Sequence, residues 1–229
     1  MIGVVLPSRG RPDECRRACE SLRAQAAGAV DIVVRLDLDD PLLERYRLGE
    51  LAVTVRGQRG LGYAENHRMI DEAARVVHGD FVMQFVDDAE MRTNHWDDEY
   101  RKVMQWDSVG TANVTTPDGS NNRFSFPVIS RRLLEINGGR FSLGNSSSVD
   151  RCWEAYARYR KCEARAAVHI HHFHVGALGP GDLTSREGRS PHAVQIARDQ
   201  FKWSTGNDTI GRDFSELVAR TERESMSTP

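Results

Sequence analysis

The chain has 229 residues, of which 39% are hydrophobic and 28% are charged. This composition excludes a largely disordered chain, because it is that of a globular protein able to bury a sizeable core. The formal net charge of −2 excludes a general attraction to nucleic acid or acidic membranes, and no signal-like or membrane-spanning run begins the sequence, so we expect a soluble, cytoplasmic protein.

Apolar runs alternate with helical patterns through the first half of the chain. Each run is followed by polar or glycine-rich residues that are typical of loops. Strands are predicted at residues 2–6, 32–36, 51–55 and 81–86, and two helices by the inward-facing sets Cys15, Ala18, Cys19 and Leu22, and Met69, Ile70, Ala73, Ala74 and Val77. This order favours an α/β fold with a mostly parallel central sheet flanked by helices, whose ligands bind at the carboxyl ends of the strands.

The pattern is less regular after Trp96. It predicts helices from there to about Gln105 and over 149–159, and strands at 109–114, 124–129 and 166–173. We therefore expect the second half to be an α+β addition to a first half of the kind that binds nucleotides. The four cysteines show no Cys-x-x-Cys spacing, so we expect them to be reduced and mostly in the core.

Two adjacent carboxylates, Asp87 and Asp88, end the fourth predicted strand. A diphosphate needs a hard divalent cation, and carboxylates are ligands that Mg²⁺ or Mn²⁺ prefers. One or two carboxylates suffice where phosphate and water complete the coordination shell. A solvated turn or a helix cap is the alternative interpretation of the pair.

Four of the eight histidines lie within residues 169–174. Alternation in a strand sends His172 and His174 to the same face, where one of them could complete a metal site. A surface strand rich in histidine, core histidines that hydrogen-bond internally, and a zinc site are the alternatives.

Four segments of the first half, in this order, resemble the GT-A glycosyltransferases, specifically their inverting, family-two-like branch. The matching segments are Val4-Val5-Leu6-Pro7-Ser8-Arg9-Gly10-Arg11-Pro12, Asp37-Leu38-Asp39-Asp40, Gly60-Leu61-Gly62-Tyr63-Ala64-Glu65-Asn66 and Phe85-Val86-Asp87-Asp88. The resemblance implies a single GT-A-type domain. Residues 1–105 would bind the nucleotide sugar, residues 106–180 would form the acceptor-binding and catalytic half, and residues 181–229 would be a partly helical tail.

The resemblance also assigns roles to particular residues. It implies that a nucleotide sugar, with UDP favoured, contacts Pro7, Ser8, Arg9, Arg11, Asp39, Arg59, Gly60, Asn66 and Asp87. Asp88 is the implied direct ligand of Mn²⁺ or Mg²⁺, with His172 or His174 as a second ligand. Ala89 stands where a third aspartate is commoner, which leaves Glu90 as its substitute.

The later half resembles the acceptor side of the same enzymes. The segments 138–141 and 146–150 match it, and Asp150 is the implied catalytic base that accepts the proton of the acceptor hydroxyl. The expected reaction is a direct displacement at the anomeric carbon with inversion. A residue that merely stabilises the helix dipole is the alternative for Asp150.

Several alternatives remain at the level of sequence. A nucleotidyltransferase of the same fold, a metal-dependent hydrolase or nuclease that uses the histidines, and a non-catalytic sugar-nucleotide binder share parts of the pattern. The glycines at 60–62 lack the last glycine of a dinucleotide-binding motif. The acceptor is a saccharide, a small molecule, a protein or a hydroxymethylated base in phage DNA. For DNA, a basic face would be formed by Arg123, Arg131, Arg132, Arg158, Arg160 and Lys161.

Overall fold

The computed structural model describes residues 1–58, 62–117, 119, 123–142, 149–173 and 216–224. These residues form one mixed sheet with helices on both of its faces. The strands are β1 (Ile2–Ser8), β2 (Val30–Asp37), β3 (Val53–Gly57), β4 (Phe81–Gln84), β5 (Ala89–Met91), β6 (Val109–Thr115), β7 (Val128–Ser130) and β8 (Glu163–His172). The helices are α1 (Pro12–Ala24), α2 (Gly62–Ala74), α3 (Trp96–Val103), α4 (Arg131–Ile136), α5 (Val149–Arg160) and α6 (216–224).

The eight strands lie in the order β3-β2-β1-β4-β7-β6-β8-β5. The first four strands of this order are mutually parallel, as are β6 and β8, whereas β7 and β5 run antiparallel to their neighbours. Parallel strands end at the same edge of a sheet. The carboxyl ends of β1, β2 and β4 therefore lie at one edge of the sheet, and the loops that follow these strands begin there.

Two apolar layers hold the helices against the sheet. Residues of α1 and α3 pack on one face with the even-numbered residues of β1 and β8, while α2, α4, α5 and α6 cover the other face. In α1 the buried side chains recur at Cys15, Ala18, Cys19 and Leu22, as a helix with one apolar stripe requires. Pro12 begins this helix, where its missing N–H is not needed.

Strand β8 contains three of the clustered histidines, His169, His171 and His172. Its residues alternate between exposed and buried from Glu163 to Ile170, and the buried set faces the layer that contains α1 and α3. Since side chains alternate along a strand, His172 shares the inward face, and His169 and His171 lie on the other. Strand β5 pairs antiparallel with β8 and sets Ala89 opposite His172.

The α/β class predicted from the sequence is confirmed, and the first four strands and the first two helices follow in the predicted order. The strand predicted at 124–129 is wrong in extent, because only Val128–Ser130 forms a strand. Phe124 and Phe126 are buried from turns and bends, so their alternation imitates a strand. Strand β5 and helix α4 were not predicted from the sequence. Among the described residues, no helix is long and apolar enough to cross a bilayer.

Candidate functional site

The loop after β1 is bonded to the acidic residues that follow β4. The hydroxyl of Ser8 donates a hydrogen bond to Oδ2 of Asp87 at 2.6 Å. Nη2 of Arg11 lies 3.0 Å from Oδ1 of Asp87, and Nη1 lies 3.5 Å from Oδ2 of Asp88. Both aspartates are buried. A single arginine therefore faces two adjacent buried carboxyl groups.

His172 approaches the same carboxylates from β8. Its Nε2 lies 3.2 Å from Oδ1 of Asp88, and its ring packs edge-on against Phe126 with the ring centroids 5.3 Å apart. The backbone N–H of Phe173 donates to the carbonyl of Asp88 at 2.9 Å, which holds the two segments together. The structure thus brings Ser8, Arg11, Asp87, Asp88 and His172 into one cluster.

The two aspartates differ in their affinity for protons. Burial raises the pKa of Asp87 to about 7, although the charge of Arg11 opposes the rise. Burial also acts to raise the pKa of Asp88, but the hydrogen bond and charge of His172, together with Arg11, outweigh it and leave this pKa below its usual value. The negative charge of the pair is therefore held most firmly on Asp88.

Asp88 and His172 suit a shared divalent cation. Two octahedral ligands at about 2.1 Å from a metal lie about 3.0 Å apart when adjacent, close to the 3.2 Å between Oδ1 and Nε2. Carboxylate and imidazole are ligands of Mn²⁺ and similar ions. Within the described part of the chain, no group of three or more His, Cys, Asp or Glu side chains could hold a metal. His174 lies outside the described residues.

A second charged cluster lies at the ends of β2 and β3. Nη1 of Arg9 contacts Oδ1 of Asp39 at 2.8 Å and Oδ2 of Asp37 at 3.3 Å. Arg35 is fully buried, and its Nη1 donates to Oδ1 of Asp37 at 2.6 Å. Its Nε donates to Glu72 of α2 at 2.7 Å and its Nη2 to the carbonyl of Gln58 at 2.6 Å. Arg35 thus fixes the carboxylate that Arg9 contacts.

Two residues of these clusters, Arg35 and Tyr46, were not predicted from the sequence. Arg35 is a lone arginine inside the apolar run 32–36, and this signal could have identified it. A charge buried in such a strand requires an oppositely charged or hydrogen-bonding partner. Tyr46 accepts a hydrogen bond from the Arg11 backbone N–H at 3.0 Å, and its hydroxyl lies 3.0 Å from that of Ser8. It stands in a polar loop, where nothing in the pattern marks it.

The remaining predicted nucleotide residues are less fully described. Pro7 lies in β1 opposite Arg35 of β2. Arg59 and Gly60 fall outside the described residues. Asn66 lies within α2, but its side chain is not among those described.

Solved structures show what this arrangement resembles. No protein-family model and no curated protein matches the chain. It is similar to residues 1–349 of S. aureus TarS in complex with UDP-GlcNAc, with a TM-score of 0.59, 13% identity and coverage of 100% of this chain and 76% of that one. Another TarS structure is not limited to residues 1–349, and the match to this chain covers 43% of its length.

Two further structures support the comparison. Glucosyl-3-phosphoglycerate synthase from Mycobacterium tuberculosis, in complex with Mn²⁺, UDP and glucosyl-3-phosphoglycerate, gives a TM-score of 0.54 at 15% identity and covers 86% of this chain and 79% of that one. The mannosyltransferase PcManGT from Pyrobaculum calidifontis, in complex with GDP-Man and Mn²⁺, gives a TM-score of 0.57 at 11% identity. The match covers 100% of this chain and 76% of that one. The chain has the GT-A fold.

Asp150 lies in the first turn of α5, on the side of the GT-A sheet that α2 and α4 also cover. The helix is anchored by Trp153, whose indole N–H donates to the carbonyl of Phe141 at 2.9 Å. Residues 143–148, which precede the helix, lie outside the described residues. The position at a helix start agrees with both interpretations of Asp150, as a base and as a helix-dipole residue.

Glu90 is paired with two arginines. Its carboxylate lies 2.9 Å from Nε of Arg17 and also pairs with Arg92. These contacts do not favour Glu90 as the substitute for a third metal-binding aspartate.

The arginines of the expected basic face have partners within the protein. Four of them pair with glutamates, namely Arg123 with Glu163 at 2.6 Å, Arg132 with Glu224 at 2.5 Å, Arg158 with Glu154 at 2.6 Å and Arg160 with Glu222 at 3.2 Å. Arg131 donates to the carbonyl of Val77 at 2.6 Å, near the end of α2. This face of the GT-A domain is therefore largely neutralised by its own carboxylates.

Proposed function

We propose that the protein is a metal-dependent glycosyltransferase that uses a nucleoside diphosphate sugar as its donor. The observation that carries the proposal is the 3.2 Å approach of Asp88 to His172, beside the β1 loop of a GT-A sheet. A carboxylate and an imidazole of this kind would hold Mn²⁺ or Mg²⁺. When bound, such a cation neutralises charge on the departing diphosphate.

The nucleoside end of the donor would lie against the cluster at the end of β2. Asp39 and Arg9, with Asp37 behind them, offer acceptors and donors to a base and a ribose. UDP is the favoured nucleotide, since TarS and glucosyl-3-phosphoglycerate synthase are each described in complex with UDP. PcManGT is described with GDP-Man, so GDP is the first competitor to test.

The proposed reaction is a direct displacement. The acceptor oxygen forms a bond to the anomeric carbon as the bond from that carbon to the diphosphate oxygen breaks, and the nucleoside diphosphate leaves. Asp150 takes the proton of the acceptor hydroxyl as general base. A single displacement inverts the configuration at the anomeric carbon. Arg11 would hold the carboxylates of Asp87 and Asp88 in place beside the leaving group.

Thermal-shift measurements test the donor site directly. Wild-type protein is screened against UDP, GDP and their sugars, each with and without Mn²⁺. We expect one nucleoside diphosphate to raise the melting temperature only with the metal present, because ligands that bind the native state stabilise it. No shift with any nucleotide would exclude the proposed donor.

Product analysis separates the rival functions. A nucleotidyltransferase would release pyrophosphate from a nucleoside triphosphate, and a hydrolase would cleave its substrate without an acceptor. A non-catalytic binder would give calorimetric heat with a nucleotide sugar but no product. A glycosyltransferase should release nucleoside diphosphate in proportion to glycosylated acceptor.

A hydroxymethylated base in phage DNA is the most specific acceptor hypothesis. The ion pairs of Arg123, Arg132, Arg158 and Arg160 count against it, because paired arginines have less charge to offer phosphates. A base-modified duplex should bind with a steep salt dependence if DNA is the acceptor. Salt-insensitive binding, or none, would favour a saccharide or small-molecule hydroxyl.

A further inference from the structure

Tyr46 lies in a chain of four hydrogen-bonding groups that ends on Asp87. The backbone N–H of Arg11 donates to the Tyr46 hydroxyl oxygen at 3.0 Å. The Tyr46 and Ser8 hydroxyl oxygens are 3.0 Å apart, and the Ser8 hydroxyl donates to Oδ2 of Asp87 at 2.6 Å. The chain therefore joins the loop after β2 to the loop after β1 and to the acidic end of β4.

The number of protons available fixes the direction in which these hydrogen bonds are donated. A serine hydroxyl has one proton, and while Asp87 is ionised, as the contact with Arg11 favours, that of Ser8 is directed to Oδ2 of Asp87. Ser8 can then only accept from Tyr46, whose own proton is available because its oxygen accepts from the Arg11 amide. Burial raises the pKa of Tyr46 above its usual value, so the phenol keeps its proton at neutral pH. Each proton thus points towards Asp87.

We infer that Tyr46 is a positioning residue of the nucleoside diphosphate site, and this rests on the proposed function. It sets the orientation of Ser8, and Ser8 sets that of Asp87. Its bond to the amide of Arg11 holds the backbone from which the guanidinium reaches both aspartates. Tyr46 itself would touch neither the donor nor the metal.

The same loop has a second attachment that supports this role. Asp40 accepts a hydrogen bond from the backbone N–H of Gly10 at 2.7 Å and another from that of Leu42 at 2.8 Å. The ring of Tyr46 packs against the apolar layer that contains α1. Rigid support of this kind keeps charged groups in their working geometry. The loop from Asp40 to Tyr46 therefore acts as a brace for Ser8, Gly10 and Arg11.

The test is the exchange Tyr46→Phe, which keeps the ring and removes the hydroxyl. Calorimetry measures the affinity for the nucleoside diphosphate that stabilises the wild type, at saturating Mn²⁺. We expect binding to weaken about 10-fold, because buried polar groups of Ser8 and Arg11 lose a partner. Tyr159→Phe is the matched control, since Tyr159 is 63% exposed on α5 and should bind as the wild type does.

A double-mutant cycle with Ser8→Ala identifies the route of the effect. If Tyr46 acts through Ser8, the double variant should bind nearly as well as the weaker single variant. If the losses of affinity in the two single variants add fully in the double variant, Tyr46 does not act through Ser8. A purely structural role would lower the melting temperature of Tyr46→Phe but leave the affinity of the folded protein unchanged, and this result would also overturn the inference.

Failure of the inference and failure of the proposed function are distinguishable. If the wild type binds no nucleoside diphosphate with Mn²⁺, the proposed function fails and the role of Tyr46 fails with it. If the wild type binds and Tyr46→Phe binds equally well, only the role of Tyr46 is wrong.

Discussion

Nε2 of His172 lies 3.2 Å from Oδ1 of Asp88, although the two residues belong to opposite halves of the chain. The contact is built by the backbone, since β5 pairs with β8 and places Ala89 opposite His172. The Phe173 N–H closes the arrangement on the carbonyl of Asp88. The second half of the fold therefore contributes directly to the acidic end of the first.

Replacing His172 should weaken metal binding. In His172→Ala we expect the affinity for Mn²⁺ in the presence of UDP to fall by at least the roughly 10- to 100-fold typical for loss of a group that only supports a ligand, because His172 would itself be a ligand. Electron paramagnetic resonance of free Mn²⁺ measures this without any turnover. His169→Ala is the control, because His169 is exposed on the other face of β8 and contacts Thr115. Equal affinities for the two variants would contradict the metal role of His172.

Removing Arg11 should strengthen the binding of Mn²⁺ in the absence of a nucleotide. Its guanidinium faces both Asp87 and Asp88, so in Arg11→Ala both side chains lose the positive charge that partly offsets theirs. We expect Mn²⁺ without nucleotide to bind several-fold more tightly, since a cation then meets uncompensated negative charge. Arg16→Ala, on the exposed side of α1 and paired with Glu20, is the control. Unchanged or weaker Mn²⁺ binding by Arg11→Ala would contradict this account.

Much of this site could be predicted from the sequence because its residues lie at the ends of strands. The apolar run before Asp87 and Asp88 predicts a buried strand, and alternation in β8 separates His172 from His169 and His171. The meeting of Asp88 with His172 could not be predicted. It depends on the three-residue strand β5 and on a pairing with distant residues, and neither leaves a local pattern.

Buried charge was the other feature that the pattern concealed. Arg35 stands inside an apolar run, and periodicity cannot tell whether such a residue is exposed or buried with partners. Its environment is formed by Asp37, Glu72 and the carbonyl of Gln58, which come from three separate elements. Only the packed structure brings these groups together.

Gly57 should be intolerant of a side chain because of Arg35. A Cβ at this position would lie 2.5 Å from Nη2 of Arg35 and 2.9 Å from Oε2 of Glu72. We expect Gly57→Ala to lower the free energy of unfolding by about 1–3 kcal/mol, the usual cost of overpacking, as measured in urea. Gly28→Ala is the control, since its nearest contacts would be at 3.6 and 3.7 Å. A similar loss in both variants would contradict the role of Arg35.

Asp97 should make stability depend on acid. Burial acts to raise its pKa, but the backbone N–H groups of Ala27 and Gly28 and the charge of Arg101 outweigh burial and lower the pKa. A carboxyl whose pKa is lower in the folded state stabilises the fold above its unfolded pKa of about 3.9. That contribution disappears as the pH falls through the folded value.

The exchange Asp97→Asn isolates this contribution. Near pH 7 we expect the variant to be less stable than the wild type by about 1–3 kcal/mol, because hydrogen bonds to a charged group are lost. The difference should shrink steadily below pH 4, as urea unfolding at several pH values will measure. Asp98→Asn, at the more exposed neighbouring carboxyl, is the control and should cost less stability near pH 7. A difference that stays constant with pH would contradict the assignment to Asp97.

The role of Asp150 can be separated from its effect on the helix. As a general base it should be needed for turnover but not for the donor, so we expect Asp150→Asn to lower kcat about 100- to 10,000-fold and to leave UDP binding unchanged. Glu154→Gln, one turn later on α5 and paired with Arg158, is the control and should retain activity. If Asp150→Asn keeps turnover but loses stability while Asp88→Asn abolishes turnover, Asp150 serves the helix dipole and the base is another residue. The proposed class of enzyme would survive that result, because it depends on the donor and the metal.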